Sequence, residues 1–164
     1  YELGYIYTNP WLNWGANLYY MDYKDQLVLT GELNEIGEPI ATNMPESYRM
    51  GLELMSGIRT NWGFSWEINA AWSRNRICNF TETLYENEDL NGNQWKIDHG
   101  DTPIAFSPDF ILNNLFSYKY KQFDVSLQSH YVSKQYMSNA RQDHHVLDAY
   151  FVSNLNLSSS FKIP

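Results

Sequence analysis

The chain has 164 residues, 43% of them hydrophobic and 16% aromatic, with 19 acidic against 11 basic residues and a formal net charge of -8. Nucleic-acid binders show clustered Lys and Arg, so that acidic balance argues against a nucleic-acid partner. No apolar run approaches the roughly 20 residues of a membrane-crossing helix, which leaves open a barrel whose strands need only about 10 alternating residues each.

The first strand pattern runs from Tyr1 to Tyr7 and ends at the turn Thr8-Asn9-Pro10-Trp11, where Pro10 suits a tight reversal. The second begins at Leu12 and continues to about Leu29. There Leu12, Trp14, Ala16, Leu18 and Tyr20 share one face opposite Asn13, Gly15 and Asn17, and a period of two is a strand signature. After a loop over 30–45, a third strand puts Tyr48, Met50, Leu52, Leu54 and Ile58 on one face. Arg59-Thr60-Asn61-Trp62-Gly63 forms a hairpin turn, because Asn61 and Gly63 accept positive φ. The fourth strand, Phe64 to about Ile77, shows Phe64, Trp66, Ile68, Ala70 and Trp72 opposite Ser65, Glu67 and Asn69.

Residues 78–109 have little periodicity and read as a long polar loop of a kind that a compact soluble domain rarely carries. A fifth strand with Phe110, Leu112, Phe116, Tyr118 and Tyr120 turns at Lys121-Gln122 into a sixth, Phe123 to about Gln135. A loop over 136–147 leads to a seventh strand from Ala149. Short turns alternate with long polar connections, which is the rhythm of an outer-membrane barrel. Aromatics gather at the short turns, with Tyr5, Tyr7 and Trp11 at the first, Trp62 and Phe64 at the second, and Tyr118, Tyr120 and Phe123 at the third. They read as an interfacial girdle. Tyr1 already lies in a strand pattern and the last alternation runs up to Pro164 without a closing turn, so the chain is expected to be a piece cut at both ends.

The expected fold class is therefore all-β: an antiparallel transmembrane β-barrel segment of about seven strands. Leu12, Trp14, Leu18, Leu52, Leu54, Trp66, Ile68 and Leu127 are expected to touch outer-membrane lipid. The charged strand residues Glu53, Glu67 and Asp124 fall on the opposite phase. Two other readings share parts of this pattern. One is a passive porin; the other is a soluble β-sandwich, as in a carbohydrate-binding module or glycosidase, with the apolar face buried against a second sheet.

The stretch Leu18-Tyr19-Tyr20-Met21-Asp22-Tyr23-Lys24-Asp25-Gln26-Leu27-Val28-Leu29-Thr30-Gly31 resembles the barrel domain of TonB-dependent outer-membrane receptors, particularly those of Bacteroidetes. So do Thr42-Asn43-Met44-Pro45-Glu46-Ser47-Tyr48-Arg49-Met50-Gly51-Leu52-Glu53 and Ile97-Asp98-His99-Gly100-Asp101-Thr102, as well as Tyr131-Val132-Ser133-Lys134-Gln135-Tyr136 and Leu147-Asp148-Ala149-Tyr150-Phe151-Val152. The likeness implies that residues 1–164 are part of a plugged barrel of about 22 strands, in the outer membrane of a Gram-negative bacterium. It further implies import of a ferric siderophore, haem, cobalamin or a glycan, iron complexes first by family frequency. Energy would come from the TonB-ExbB-ExbD complex through N-terminal regions that this chain does not contain. Neither a catalytic residue nor a cofactor is implied.

Candidate ligand contacts are Tyr85, Trp95, Tyr136, His144 and His145, aromatic or imidazole groups near the expected outer mouth. Glu82, Glu86, Glu88, Asp89, Asp98 and Asp101 crowd the long loop and read as a solvated surface, since nothing there provides the burial that acid–base catalysis needs. His99 with Asp98 and Asp101, and His144-His145, are the metal-like clusters. Their spacing favours loop shaping over ligation, and no metal site is expected. The single Cys78 excludes an internal disulfide.

Overall fold

The computed structural model describes residues 1–33, 36–85, 94–142 and 144–161. Ten strands form: β1 (Glu2–Thr8), β2 (Leu12–Leu33), β3 (Pro39–Arg59), β4 (Phe64–Tyr85), β5 (Gln94–Pro103), β6 (Phe110–Tyr120), β7 (Phe123–Val132), β8 (Gln135–Tyr136), β9 (Val146–Leu147) and β10 (Tyr150–Ser159). Every pairing is antiparallel. The main sheet runs β1-β2-β3-β4-β6-β7-β10, with β5 added beside β4, while β8 and β9 pair separately. The seven strands expected from the alternation are the seven of that path. No second sheet covers their apolar face among the described residues.

Register fixes the faces. Leu12 pairs with Ile58, Ile58 with Trp66, Trp66 with Phe116, Phe116 with Leu127 and Leu127 with Leu155. Directly paired residues point the same way. The row through Leu18, Leu52, Trp72 and Phe110 lies on the same face, as do Trp14, Leu54 and Ile68. All eight residues assigned to lipid contact thus share one face, and Glu53, Glu67 and Asp124 occupy the other.

The same row measures the tilt. Leu12 is the first residue of β2, whereas Leu127, four strand steps away, lies four residues inside β7. At ~3.4 Å per residue and ~4.8 Å between strands, that stagger corresponds to about 35°, within the tilt range of closed barrels. Along β4 the apolar phase runs from Phe64 to Trp72, about 27 Å of strand or ~22 Å of height after tilting, close to the apolar belt of a membrane barrel.

Rings mark both limits of this band. At the short turns Trp62 stacks on Phe64 at 5.3 Å and meets Tyr118 at 5.9 Å, and Tyr118 stacks on Tyr120 at 6.5 Å. At the opposite limit Tyr20 stacks on Tyr48 at 6.1 Å and Phe110 meets Tyr131 at 6.0 Å, with Trp72 68% exposed between them. This second belt was not anticipated. Its members are scattered over β2, β3, β4, β6 and β7 and assemble only through register.

The long connections differ from expectation. Within 30–45 and 78–109 the described residues are largely extensions of paired ladders and not loop, with β2 reaching Leu33, β3 starting at Pro39, β4 reaching Tyr85 and β5 (Gln94–Pro103) beside it; among the described residues of 78–109 only 104–109 are irregular. Conversely the sixth expected strand stops at Val132, short of Gln135, and residues 136–147 contain the small β8–β9 ladder. Periodicity fails there because two left-handed residues reset it. Asp25 has φ 54° and Asn79 φ 50°, and an αL residue within a strand re-aims the side chains beyond it. In β2 the shielded positions are Met21 and Tyr23 before Asp25, but Gln26, Val28 and Thr30 after it. In β4 they change from Asn75 and Ile77 to Cys78, Phe80 and Glu82.

The reset collects Val28, Met44, Ile77 and Ile104, with Phe80 against them, into the one buried apolar cluster among the described residues. Ile77, fully buried, is in phase with Glu67 and Asn69, so this core lies on the polar face above the band. Each such side chain contributes roughly 1.5–3 kcal/mol of burial, which helps hold the extended ladders in shape above the apolar band.

Candidate functional site

Above the band, on the polar face, the extensions of β2, β3 and β4 together with Ser138, Ala140, Gln142 and His145 line an open cavity of about 750 Å³. Its apolar wall is Ile40, Met44, Ile77, Phe80 and Ala140, and its polar lining includes Thr30, Thr42, Asn43, Glu82, Gln142 and His145. Such a volume suits a small-molecule ligand.

Asn139 anchors the segment whose Ser138 and Ala140 line the cavity. Only 1% exposed, it donates from Nδ2 to the Leu29 carbonyl at 2.8 Å, and its Oδ1 accepts the Ala105 amide at 2.8 Å. One side chain therefore ties the β7–β10 connection to β2 and to the segment after β5. Two further backbone bonds, Phe106 N to Tyr136 O and Met137 N to His145 O, both 2.9 Å, keep the connection folded back. A buried amide with both ends satisfied is a rigid fastening.

His99 supports two residues of the cavity lining, Glu82 and Phe80. Its Nε2 lies 2.8 Å from Glu82 Oε2, and its ring stacks on Phe80 at 5.8 Å. Asp98 Oδ1 accepts the Gly100 amide at 2.9 Å and Asp101 Oδ1 accepts the Asn79 amide at 3.2 Å. These carboxylates shape the β4–β5 hairpin, Asp101 holding the residue whose αL backbone resets the phase. Glu86, Glu88 and Asp89 lie outside the described residues. Cys78 also faces the cavity; burial first, and then the carboxylates of Asp101, Glu46 and Asp22, push its thiol upward from the usual range.

The five candidate contacts separate. His145 lines the cavity, and His144 rests against it with ring centroids 4.5 Å apart. Tyr136 is placed elsewhere, in a smaller hollow of about 140 Å³ with Arg76, Asp109, Lys134 and Arg141. Lys134 and Arg141 flank its ring at 5.7 and 5.9 Å. Trp95, 55% exposed, stands on β5 opposite Leu84 and outside the cavity lining. The side chain of Tyr85 lies outside the described residues. Sequence reasoning missed Asn139, Phe80 and Met44; Asn139 gives no local signal, because its partners are backbone groups up to 110 positions away.

The lower part of the same face is a polar ladder. Asn17 reaches Glu53 at 3.4 Å, and His130 Nδ1 lies 2.6 Å from Asn113 Oδ1. A family model described as "TonB dependent receptor-like, beta-barrel" matches residues 1–164. The chain belongs to that family. Proteins of the TonB-dependent receptor family are transporters of the Gram-negative outer membrane that bind siderophores and interact with TonB.

Solved receptors share this fold. The siderophore receptor PirA from Acinetobacter baumannii superimposes with a TM-score of 0.62 at 17% identity, covering 98% of this chain and 25% of its own. The FrpB iron transporter from Neisseria meningitidis gives 0.60 at 15% identity, covering 97% of this chain and 23% of its own. A mutant of the ferric enterobactin receptor PfeA from Pseudomonas aeruginosa gives 0.58 at 16%, with 98% and 23% covered. This TonB-dependent receptor barrel segment thus spans about a quarter of those proteins. Comparison with curated proteins returns no match.

Proposed function

We propose that this segment forms part of the wall and outer mouth of an outer-membrane importer that captures a scarce nutrient, foremost an iron complex, and moves it inward with energy transmitted by TonB. The observation that carries the proposal is the two-sided sheet: one face presents a ~22 Å apolar band between two aromatic belts, and the other a polar wall with a cavity above it. In this reading Leu12, Trp14, Leu18, Leu52, Leu54, Trp66, Ile68 and Leu127 meet lipid. Asn17, Glu53, Glu67, Asn69 and Asn113 face an internal plug, and the cavity receives cargo at the outer end.

His145 is the candidate contact that this geometry favours, with Phe80 and Met44 added; Tyr136 serves a separate cationic hollow. The cavity sits beyond the outer aromatic belt, where cargo arrives before any transport step. Deletion of the full-length gene in the source bacterium tests the proposal. Radioiron accumulation from chelates at limiting concentration is expected to fall to the level of a strain lacking TonB. Accumulation equal to the parent's, with or without TonB, would refute the importer reading.

A further inference from the structure

The charge around the cavity is one-sided. Among the described residues that line it there is no Lys or Arg; Glu82 is its single carboxylate, and that group is engaged by His99. In the cavity wall burial first, and then the carboxylates of Asp101, Glu46 and Asp22, push the Cys78 thiol upward. The nearby cations, Arg76, Lys134 and Arg141, line a different and smaller hollow around Tyr136.

A multiply charged anion entering such a space loses hydration and gains no opposite charge, which is costly at low dielectric. An uncharged ligand avoids that cost. It can lay apolar surface on Ile40, Met44, Ile77 and Phe80 while Thr42 and Gln142 meet its polar atoms. Resting on the importer reading above, we infer that the cargo held here is a charge-neutral amphipathic molecule, and for an iron complex a neutral chelate of the trishydroxamate class. In such a chelate three singly charged hydroxamates cancel the ferric charge. A ferric triscatecholate, which remains a trianion, is selected against.

The test uses the full-length receptor in detergent, titrated with a ferric trishydroxamate and a ferric triscatecholate while tryptophan fluorescence is followed. Expected is binding of the neutral chelate at least about tenfold tighter than the trianion, weakened about tenfold by Phe80→Ala. Gln142→Lys, which adds a cation at the half-buried rim, is expected to improve the trianion's affinity about tenfold, so that the preference for the neutral chelate narrows. Tighter binding of the triscatecholate by the parent receptor, or no binding of the hydroxamate, overturns the inference. TonB-dependent radioiron uptake from the triscatecholate in the same strain would then show that the importer reading survives it, whereas loss of all TonB-dependent uptake signal would remove both.

Discussion

Ile68 stands midway along the apolar phase of β4, two paired positions from Phe64 and two from Trp72, and its neighbour Asn69 points to the other face. Replacing Ile68 with Arg puts a guanidinium near the bilayer midplane, where the cost is ~2–4 kcal/mol. At 1.4 kcal/mol per factor of ten, that lowers the folding equilibrium constant about 30- to 700-fold. Asn69→Arg places the same charge one residue on, among Asn113, His130 and Glu67, and is expected to stay within about 0.5 kcal/mol. The assay is reversible urea unfolding of the full-length receptor in lipid vesicles, read by tryptophan fluorescence and by the gel shift of the folded barrel. Equal costs for the two variants, or a greater cost for Asn69→Arg, would refute the assignment of faces on which every later step depends.

Asn139→Ala leaves the Ala105 amide and the Leu29 carbonyl without their partner, a local loss of about 2–4 kcal/mol; hydrogen exchange at 137–142 is expected to rise at least tenfold while the barrel's unfolding midpoint hardly moves. Gly63 has φ 94° and its missing Cβ would sit on the Lys119 carbonyl oxygen, so Gly63→Val is expected to destabilise by more than about 2 kcal/mol and to reduce the yield of heat-modifiable barrel. Trp66 Nε1 donates to Asn114 Oδ1 at 2.5 Å on the apolar face. Trp66→Phe alone should therefore cost more than Trp66→Phe combined with Asn114→Leu, as unfolding midpoints would show. Because its thiol is displaced upward, Cys78 holds less thiolate than a free cysteine at any given pH. Its maleimide labelling is expected to rise only at more alkaline pH, and Asp101→Asn should accelerate it at pH 8.

The band was legible because lipid and polar wall impose one rule over many residues: Leu12 to Tyr20 and Phe64 to Trp72 keep strict alternation from end to end. Above it the rule is interrupted. Leu27 and Leu29 are exposed and Val28 is buried, the reverse of the phase that Leu12 establishes, so strands hidden behind Asp25 and Asn79 read as loops. Polar ladder residues such as Thr81, Glu82, Thr83 and Lys96 added to that impression, because a paired hairpin in water needs no apolar face to satisfy its backbone. The cavity was less legible still. His145 and the acidic surroundings were visible, but the position of Tyr136 depended on where the β8–β9 ladder turned, and Asn139 acts through backbone groups that carry no sequence signature.

The two left-handed residues also divide the molecule into parts with different freedom to change. Beneath Asp25 and Asn79, inserting a single residue would invert a whole strand against its oily surroundings and break the wall's closure. Beyond them the side-chain parity has already been restarted, so hairpins can lengthen, shorten or be exchanged without disturbing the anchor below. A lineage built on this joint can vary its upper hairpins while leaving the alternating band below them unchanged.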